Sequence, residues 1–306
     1  MVMTRLIDDP EAFVHTVQRT PPRSPGVPRG VFLIAPAEFH LARESASDNH
    51  YMQLEQGVDP DLALAQHHGL ALALSEQGIP VCAFAGRADT PDAVFPNNVY
   101  ATRPGALIVG AMRHRVRQRE AERVDIRRWF SDVLGYRCID LSGSDCVAEL
   151  TGSLVIDRAR GIGYCGLSER CDRRGAERMA EAFGLHAVLV FDLAAGEYHT
   201  NVIMSALAGR GVLLCPEGFA DARVASAVAR CYPQAVVIDA SEKAGYVGNC
   251  IALGEDGLWM SAHAASAMRA RTRAAIEALG LRIHTVALDQ FERAGGSLRC
   301  MIGEIY

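Results

Sequence analysis

One spacing limits the folds open to this sequence more than any other feature. Short polar signatures recur beside apolar runs, and their lead residues are Asn49, Asn98, Glu149, His199, Asn249 and Cys300. The intervals between them are 49, 51, 50, 50 and 51 residues. The stretches between the marks show no visible homology, yet this regularity points to one structural unit used five times. Three of the marks are followed by an apolar strand and a helix. Five such units predict radial repetition, a propeller-like α/β closure that leaves only protected sheet edges. Each unit would hold its mark at the same radius and height, so the marks would meet on the axis. Cys300 falls in the same unit as Asn49, with a C-terminal strand completing the first blade.

The same count bears on domain number. A chain of 306 residues leaves two domains or one large one open. Five periods predict a single domain over 1–306, led by a polar, proline-rich arm over 1–28. Strands are expected at Val31–Ala35, Val81–Phe84, Ala106–Val109, Leu154–Ile156, Val188–Phe191, Val212–Cys215, Ala235–Ile238, Ile251–Leu253 and Arg282–Val286. Helices are expected at Pro60–Gln77, Arg119–Leu134, Arg174–Phe183, Ala220–Cys231 and Ala262–Leu279. With 49% hydrophobic and 22% charged residues, the composition excludes a disordered, collagenous or coiled-coil chain. A net charge of −5 excludes a protein that acts through a basic nucleic-acid footprint. No run approaches the ~18 apolar residues of a membrane span, and Asp8, Asp9 and Glu11 stand where a signal peptide would be apolar. A soluble, cytoplasmic protein is expected, with no nucleic-acid or membrane partner and with a homodimer left open.

The nine cysteines include no CxxC pair. An odd count without a secretion signal argues for reduced thiols and against a disulfide framework or a structural zinc site. Most sit among apolar residues and read as small core side chains. Cys300 is different, because the spacing brings it to the same place as His199 and Glu149. A thiol, an imidazole and a carboxylate in one pocket make a nucleophile, a general base and an orienting group. Gly295 and Gly296, just before the thiol, are expected to help form a nest of backbone N–H groups that favours the thiolate.

The segments Asp92-Ala-Val-Phe-Pro-Asn-Asn98, Glu149-Leu-Thr-Gly-Ser153, Tyr198-His-Thr-Asn201 and Gly295-Gly-Ser-Leu-Arg-Cys300 together resemble the guanidino-group-modifying enzymes of the pentein superfamily. That group includes arginine deiminases, dimethylarginine dimethylaminohydrolases, succinylarginine dihydrolases and amidinotransferases. The likeness runs from Val31 to Cys300 and is strongest to bacterial penteins that include citrulline hydrolases. The resemblance implies a five-bladed α/β propeller and a hydrolase that cleaves a C–N bond of a guanidino or ureido amino acid. Cys300 would attack the central carbon, His199 would protonate the leaving amine and then activate water, and Glu149 would hold the substrate nitrogens. Asp92 matches a carboxylate that grips a substrate N–H, and Phe95 a ring against the planar group. Arg170, in Gly166-Leu-Ser-Glu-Arg170, resembles the arginine that binds a substrate α-carboxylate in arginine deiminases. Asn49, Asn201 and Asn249 are expected to join Asn98 around the substrate. No metal or organic cofactor is implied.

Two positions depart from the pattern. Arginine deiminases and dimethylarginine hydrolases carry Asp where this chain has Asn98. A neutral amide both donates and accepts, which suits a ureido substrate or two successive hydrolyses of a guanidino one. Val99-Tyr100 stands where a large aromatic is expected directly after the asparagines. An amidinotransferase and a non-catalytic binding module are the rival readings, and the substrate's tail is left open. The basic run Arg113-His-Arg-Val-Arg-Gln-Arg119 leads into a helix of mixed charge and reads as a solvated face.

Overall fold

The repeating unit is a three-stranded sheet whose central strand pairs antiparallel on one side and parallel on the other. Gly30–Ile34 lies between Gly303–Ile305 and Val81–Phe84. Ala106–Val109 lies between Tyr100–Arg103 and Arg137–Asp140. Ile162–Leu167 lies between Leu154–Asp157 and Ala187–Asp192, with Arg5–Ile7 added at the outer edge. Val212–Leu214 lies between Met204–Ala206 and Ala235–Val237. Gly257–Ser261 lies between Ile251–Leu253 and Arg282–Val286. The computed structural model describes residues 5–24 and 26–306; residues 1–4 and Pro25 of the expected arm lie outside them. Within the arm, Pro10–Gln18 is a helix capped by Asp9, whose side chain accepts from Glu11 N.

Local chemistry explains the unit. Four of the five antiparallel pairs are hairpins, and Gly105 and Gly161 sit in two of their turns at φ +72° and +66°, a region that costs other residues energy. Each parallel step needs a crossover, and helices supply it. Arg173–Phe183 shows why they form. The Asp172 side chain accepts from Gly175 N at its start, and Gly184 ends it at φ 69°. Ala176, Met179, Ala180 and Phe183 are buried at i, i+3, i+4 and i+7, the stripe that lies on a sheet.

Nine strands were expected and all nine are present, with ends shifted by a residue or so. The hairpin partners Tyr100–Arg103, Met204–Ala206 and Gly257–Ser261, the strands Ile162–Leu167 and Arg137–Asp140, and the edge strand Arg5–Ile7 carried too weak a signal. Ile162–Leu167 contains Gly163 and Gly166 because a Cβ at either would meet Leu193, Leu154 or Leu185 within 3 Å. The helix expected over Ala262–Leu279 is two helices, Ala262–Ala267 and Ala270–Ala278. Met268 and Arg269 between them are extended, and the Arg269 N–H goes to Glu242 Oε1 at 3.0 Å. Arg119–Leu134 is likewise broken into Arg115–Ala121, Val124–Arg128 and a wide turn at Trp129–Val133. All nine cysteines are free thiols; six are buried, in line with the core role expected of most, while Cys82 and Cys146 are half-buried and Cys138 is exposed. Among the described residues, no helix is long and apolar enough to cross a membrane.

One core residue carries a testable cost. His67 is 2% exposed and neither ring nitrogen has a hydrogen-bond partner in the protein. Burial, with a lesser contribution from His68, holds its pKa down to about 4. The unfolded imidazole takes up its proton first as pH falls, so stability drops between about pH 6.5 and pH 4. The loss amounts to about 3 kcal/mol at one pKa unit per 1.36 kcal/mol. His67→Leu should flatten that part of the melting temperature against pH curve; a curve unchanged in slope would refute the assignment.

Candidate active site

A short turn precedes the antiparallel outer strand of each sheet, and the marks lie in or just before these turns. They are Pro96–Asn98, Leu150–Ser153, Thr200–Ile203, the stretch 246–249 and Leu298–Met301. Hydrogen bonds step from one turn to the next. Thr151 Oγ1 donates to Asn97 O (3.0 Å), and Asn201 Nδ2 to Thr151 O (3.1 Å). Asn249 Nδ2 donates to Asn201 O (3.0 Å), and Arg299 N to Asn249 Oδ1 (3.1 Å). Leu298–Met301 in turn touches Pro96–Asn98. The linked positions are Asn97, Thr151, Asn201, Asn249 and Arg299; Asn98 and Cys300 each follow a linked residue directly, whereas Glu149 and His199 precede theirs by two places, so the marks share the turns but not one position in them. Asn49 lies outside the turns, in the loop after Gly30–Ile34, and the Cys300 turn serves the first unit.

A small cavity lies against these turns, lined by Asn49, Asp92, Phe95, Asn98, Arg170, His199 and Cys300 among others. Glu149 is fully buried behind it and accepts from His199 Nε2 at 2.9 Å. Burial would raise the Glu149 pKa, but Arg170, His199 and Arg117 outweigh it and hold the carboxyl well below its usual range. Burial lowers the His199 pKa, with Glu149 only partly offsetting it. Burial also pushes the Cys300 thiol up, against the Asn249 amide 3.3 Å from Sγ. The resting site therefore holds a neutral thiol, a neutral imidazole and an ionised carboxylate.

Asp92 Oδ1, Asn98 Oδ1 and His199 Nδ1 are buried and have no hydrogen-bond partner among the described residues. Two open acceptors beside a thiol favour a ligand rich in N–H donors, since a buried acceptor left unpaired costs about 1–3 kcal/mol. The other oxygen of Asp92 accepts from Ser45 Oγ. Asn201 and Asn249 lie among the turn-to-turn hydrogen bonds and against Cys300 Sγ, not on the cavity wall. Arg170 is 2% exposed, and its guanidinium is engaged by Asp48, Glu149 and Ser45 O.

Close approach explains the glycines. A Cβ on Gly152 would lie 2.5 Å from Asn98 Oδ1 and 2.9 Å from His199 Nε2. One on Gly296 would lie 2.6 Å from the Phe95 ring. The Gly295 N–H goes to Glu292 O and its carbonyl accepts from Tyr198 Oη. These glycines thus serve clearance, and the Gly295 N–H is not free for the expected nest.

The basic run holds the largest correction. Arg113, Arg115 and Arg119 are exposed as expected, but Arg117 is 3% exposed and lines the cavity. It pairs with buried Glu120 at 2.8 and 3.0 Å and donates to Asp92 O (3.2 Å) and Phe95 O (3.0 Å). Burial pushes Glu120 up to about 7 against the pull of Arg117. The i, i+3 spacing of Arg117 and Glu120 was the sequence signal for this pair. Asp48, beside Asn49, was the other residue overlooked.

Known proteins resemble this chain in sequence and in fold. The family model described as N,N dimethylarginine dimethylhydrolase, eukaryotic, matches residues 35–306. A Caenorhabditis elegans protein, uncharacterized protein ZK1307.1, is 22% identical over 252 residues, covering 80% of this chain and 84% of that one. The N-terminal domain of ArgZ, covalently bound to a reaction intermediate, superimposes with a TM-score of 0.78 at 18% identity, covering 90% of this chain and 97% of that one. ArgZ is described as an arginine dihydrolase from the ornithine-ammonia cycle in cyanobacteria. A dimethylarginine dimethylaminohydrolase adduct with 4-chloro-2-hydroxymethylpyridine gives 0.70 at 19% identity, covering 91% and 100%. At those identities the structural likeness speaks to the shared mixed α/β fold, while the family model speaks to descent. The chain belongs to the N,N dimethylarginine dimethylhydrolase family, within the guanidino-group-modifying enzymes of the pentein superfamily.

Proposed function

We propose that this protein is a cysteine-dependent hydrolase that releases ammonia from a guanidino or ureido compound through Cys300. The observation that carries the reading is the pair of open acceptors, Asp92 Oδ1 and Asn98 Oδ1, in one cavity with Cys300 and His199. In the first step Sγ bonds to the planar carbon while the thiol proton passes to His199 Nδ1. The C–N bond then breaks and the imidazolium gives that proton to the departing nitrogen. A water molecule next loses a proton to Nδ1 as its oxygen bonds to the carbon. The C–S bond breaks and the thiol regains its proton. Glu149 keeps Nε2 protonated and steadies the imidazolium. The propeller reading belongs to the same proposal: five equivalent sheets around one axis in a single domain. It is supported by the hydrogen bonds between successive turns and by the pairing of Gly303–Ile305 with Gly30–Ile34.

The test is ammonia release from guanidino and ureido compounds with no acceptor amine present, with the protein's mass followed during turnover. Ammonia together with a transient adduct on Cys300 is expected. No ammonia from any compound, or turnover only after an amine is added, would replace this reading with the binding module or the amidinotransferase.

A further inference from the structure

The charges around the cavity bear on the substrate's other end, given the hydrolase reading above. Two arginines line the cavity among its described residues, and each is already committed. Arg117 is held by Glu120 and two backbone carbonyls. The Arg170 Nε lies 2.9 Å from both oxygens of Asp48, and Nη2 donates to Asp48 Oδ1 (2.6 Å) and Ser45 O (2.9 Å). Its Nη1 faces Glu149 at 3.1 Å. Asp48 also receives His114 Nε2 at 3.1 Å and Arg113 Nε at 3.4 Å. The outer partners have neighbours of their own, Arg113 pairing with Glu169 at 2.6 Å and the His114 ring lying 3.9 Å from Glu44.

Asp48 therefore occupies, from within the chain, a seat formed by the Arg170 and Arg113 guanidinium groups and the His114 ring, of the kind a carboxylate ligand would take. The seat is closed: the Arg170 and Asp48 side chains are 2% and 12% exposed. An incoming carboxylate would have to evict a like charge from its hydrogen bonds. Meanwhile Asp48, Glu120 and Glu149 pair with Arg117 and Arg170, and Asp92 Oδ1 in the same cavity has no partner among the described residues, so the charge left open there is negative and would attract a cation on the substrate.

We infer that Asp48 is a specificity-determining residue that excludes substrates with an α-carboxylate. The substrate is then a guanidino- or ureido-alkylamine, and not the corresponding amino acid. Arg170 serves to position Glu149 and the 45–48 loop, in place of the carboxylate-binding role its sequence context suggests.

Agmatine with arginine, and carbamoylputrescine with citrulline, differ only by that carboxylate. Ammonia release from all four, with the wild type and with Asp48→Asn, tests the inference through kcat/KM ratios. The wild type should favour each amine over its amino acid by on the order of tenfold or more. Asp48→Asn frees the Arg170 fork and should move both ratios toward the amino acids by about tenfold. A wild type that prefers arginine or citrulline overturns the inference. So does a variant that slows all four alike and leaves the ratios unchanged, as plain structural damage would. Ammonia from none of the four is a different failure, because it removes the hydrolase reading itself.

Discussion

Cys300→Ser should lower kcat by about a thousandfold or more while leaving the protein folded. A serine hydroxyl at a site tuned for sulfur lacks the intrinsic nucleophilicity of a thiolate, and nothing else in the cavity can replace it. The change is nearly isosteric, at a residue 2% exposed, and the Asn249 amide that now faces Sγ at 3.3 Å can donate to a hydroxyl instead. Thermal melting should therefore move little. The measurement is kcat beside a melting curve, on whichever substrate releases ammonia. Activity within tenfold of wild type would show that Cys300 does not form the covalent bond. Inactivity with a collapsed melt would be uninformative for the serine variant, and Cys300→Ala supplies the second reading of the same point.

The second large effect is on stability. Arg117→Met would leave the Glu120 carboxyl, 1% exposed, without its partner, and the Asp92 and Phe95 carbonyls without a donor. Breaking one side of a buried pair costs about 3–5 kcal/mol. At this chain length that is a fall in Tm on the order of 10 °C. Adding Glu120→Leu should recover part of it, because removing both charges is far cheaper than removing one. Arg119→Met, two residues along on the exposed side, should move Tm hardly at all. Equal shifts for Arg117→Met and Arg119→Met would mean that the buried pair contributes nothing.

The marks Asn98, Glu149, His199, Asn249 and Cys300 could be found from the sequence because the turns recur at a near-constant interval and each carries polar residues, inside the turn for Asn98, Asn249 and Cys300 and just ahead of it for Glu149 and His199. Asn49 matched the interval without belonging to such a turn. The strands that escaped notice are three to six residues long, and the one with glycines has them where neighbours crowd the backbone. Arg117 was hidden for another reason. A run of arginines looks solvated, and only the packing shows which one turns inward. Arg170 could be located from its motif, but not its hydrogen bonds to Asp48, more than a hundred residues earlier in the chain. Pairings across that distance leave no periodic trace.

The order of the five turns along the chain bears on folding. The turn carrying Cys300 is the last of them, and the strand that follows it pairs with Gly30–Ile34, far away in the sequence. A contact of such sequence separation carries a high loop-closure cost and forms after local hairpins. The Cys300 turn therefore takes its place late in folding, when the hairpins of the other sheets already stand.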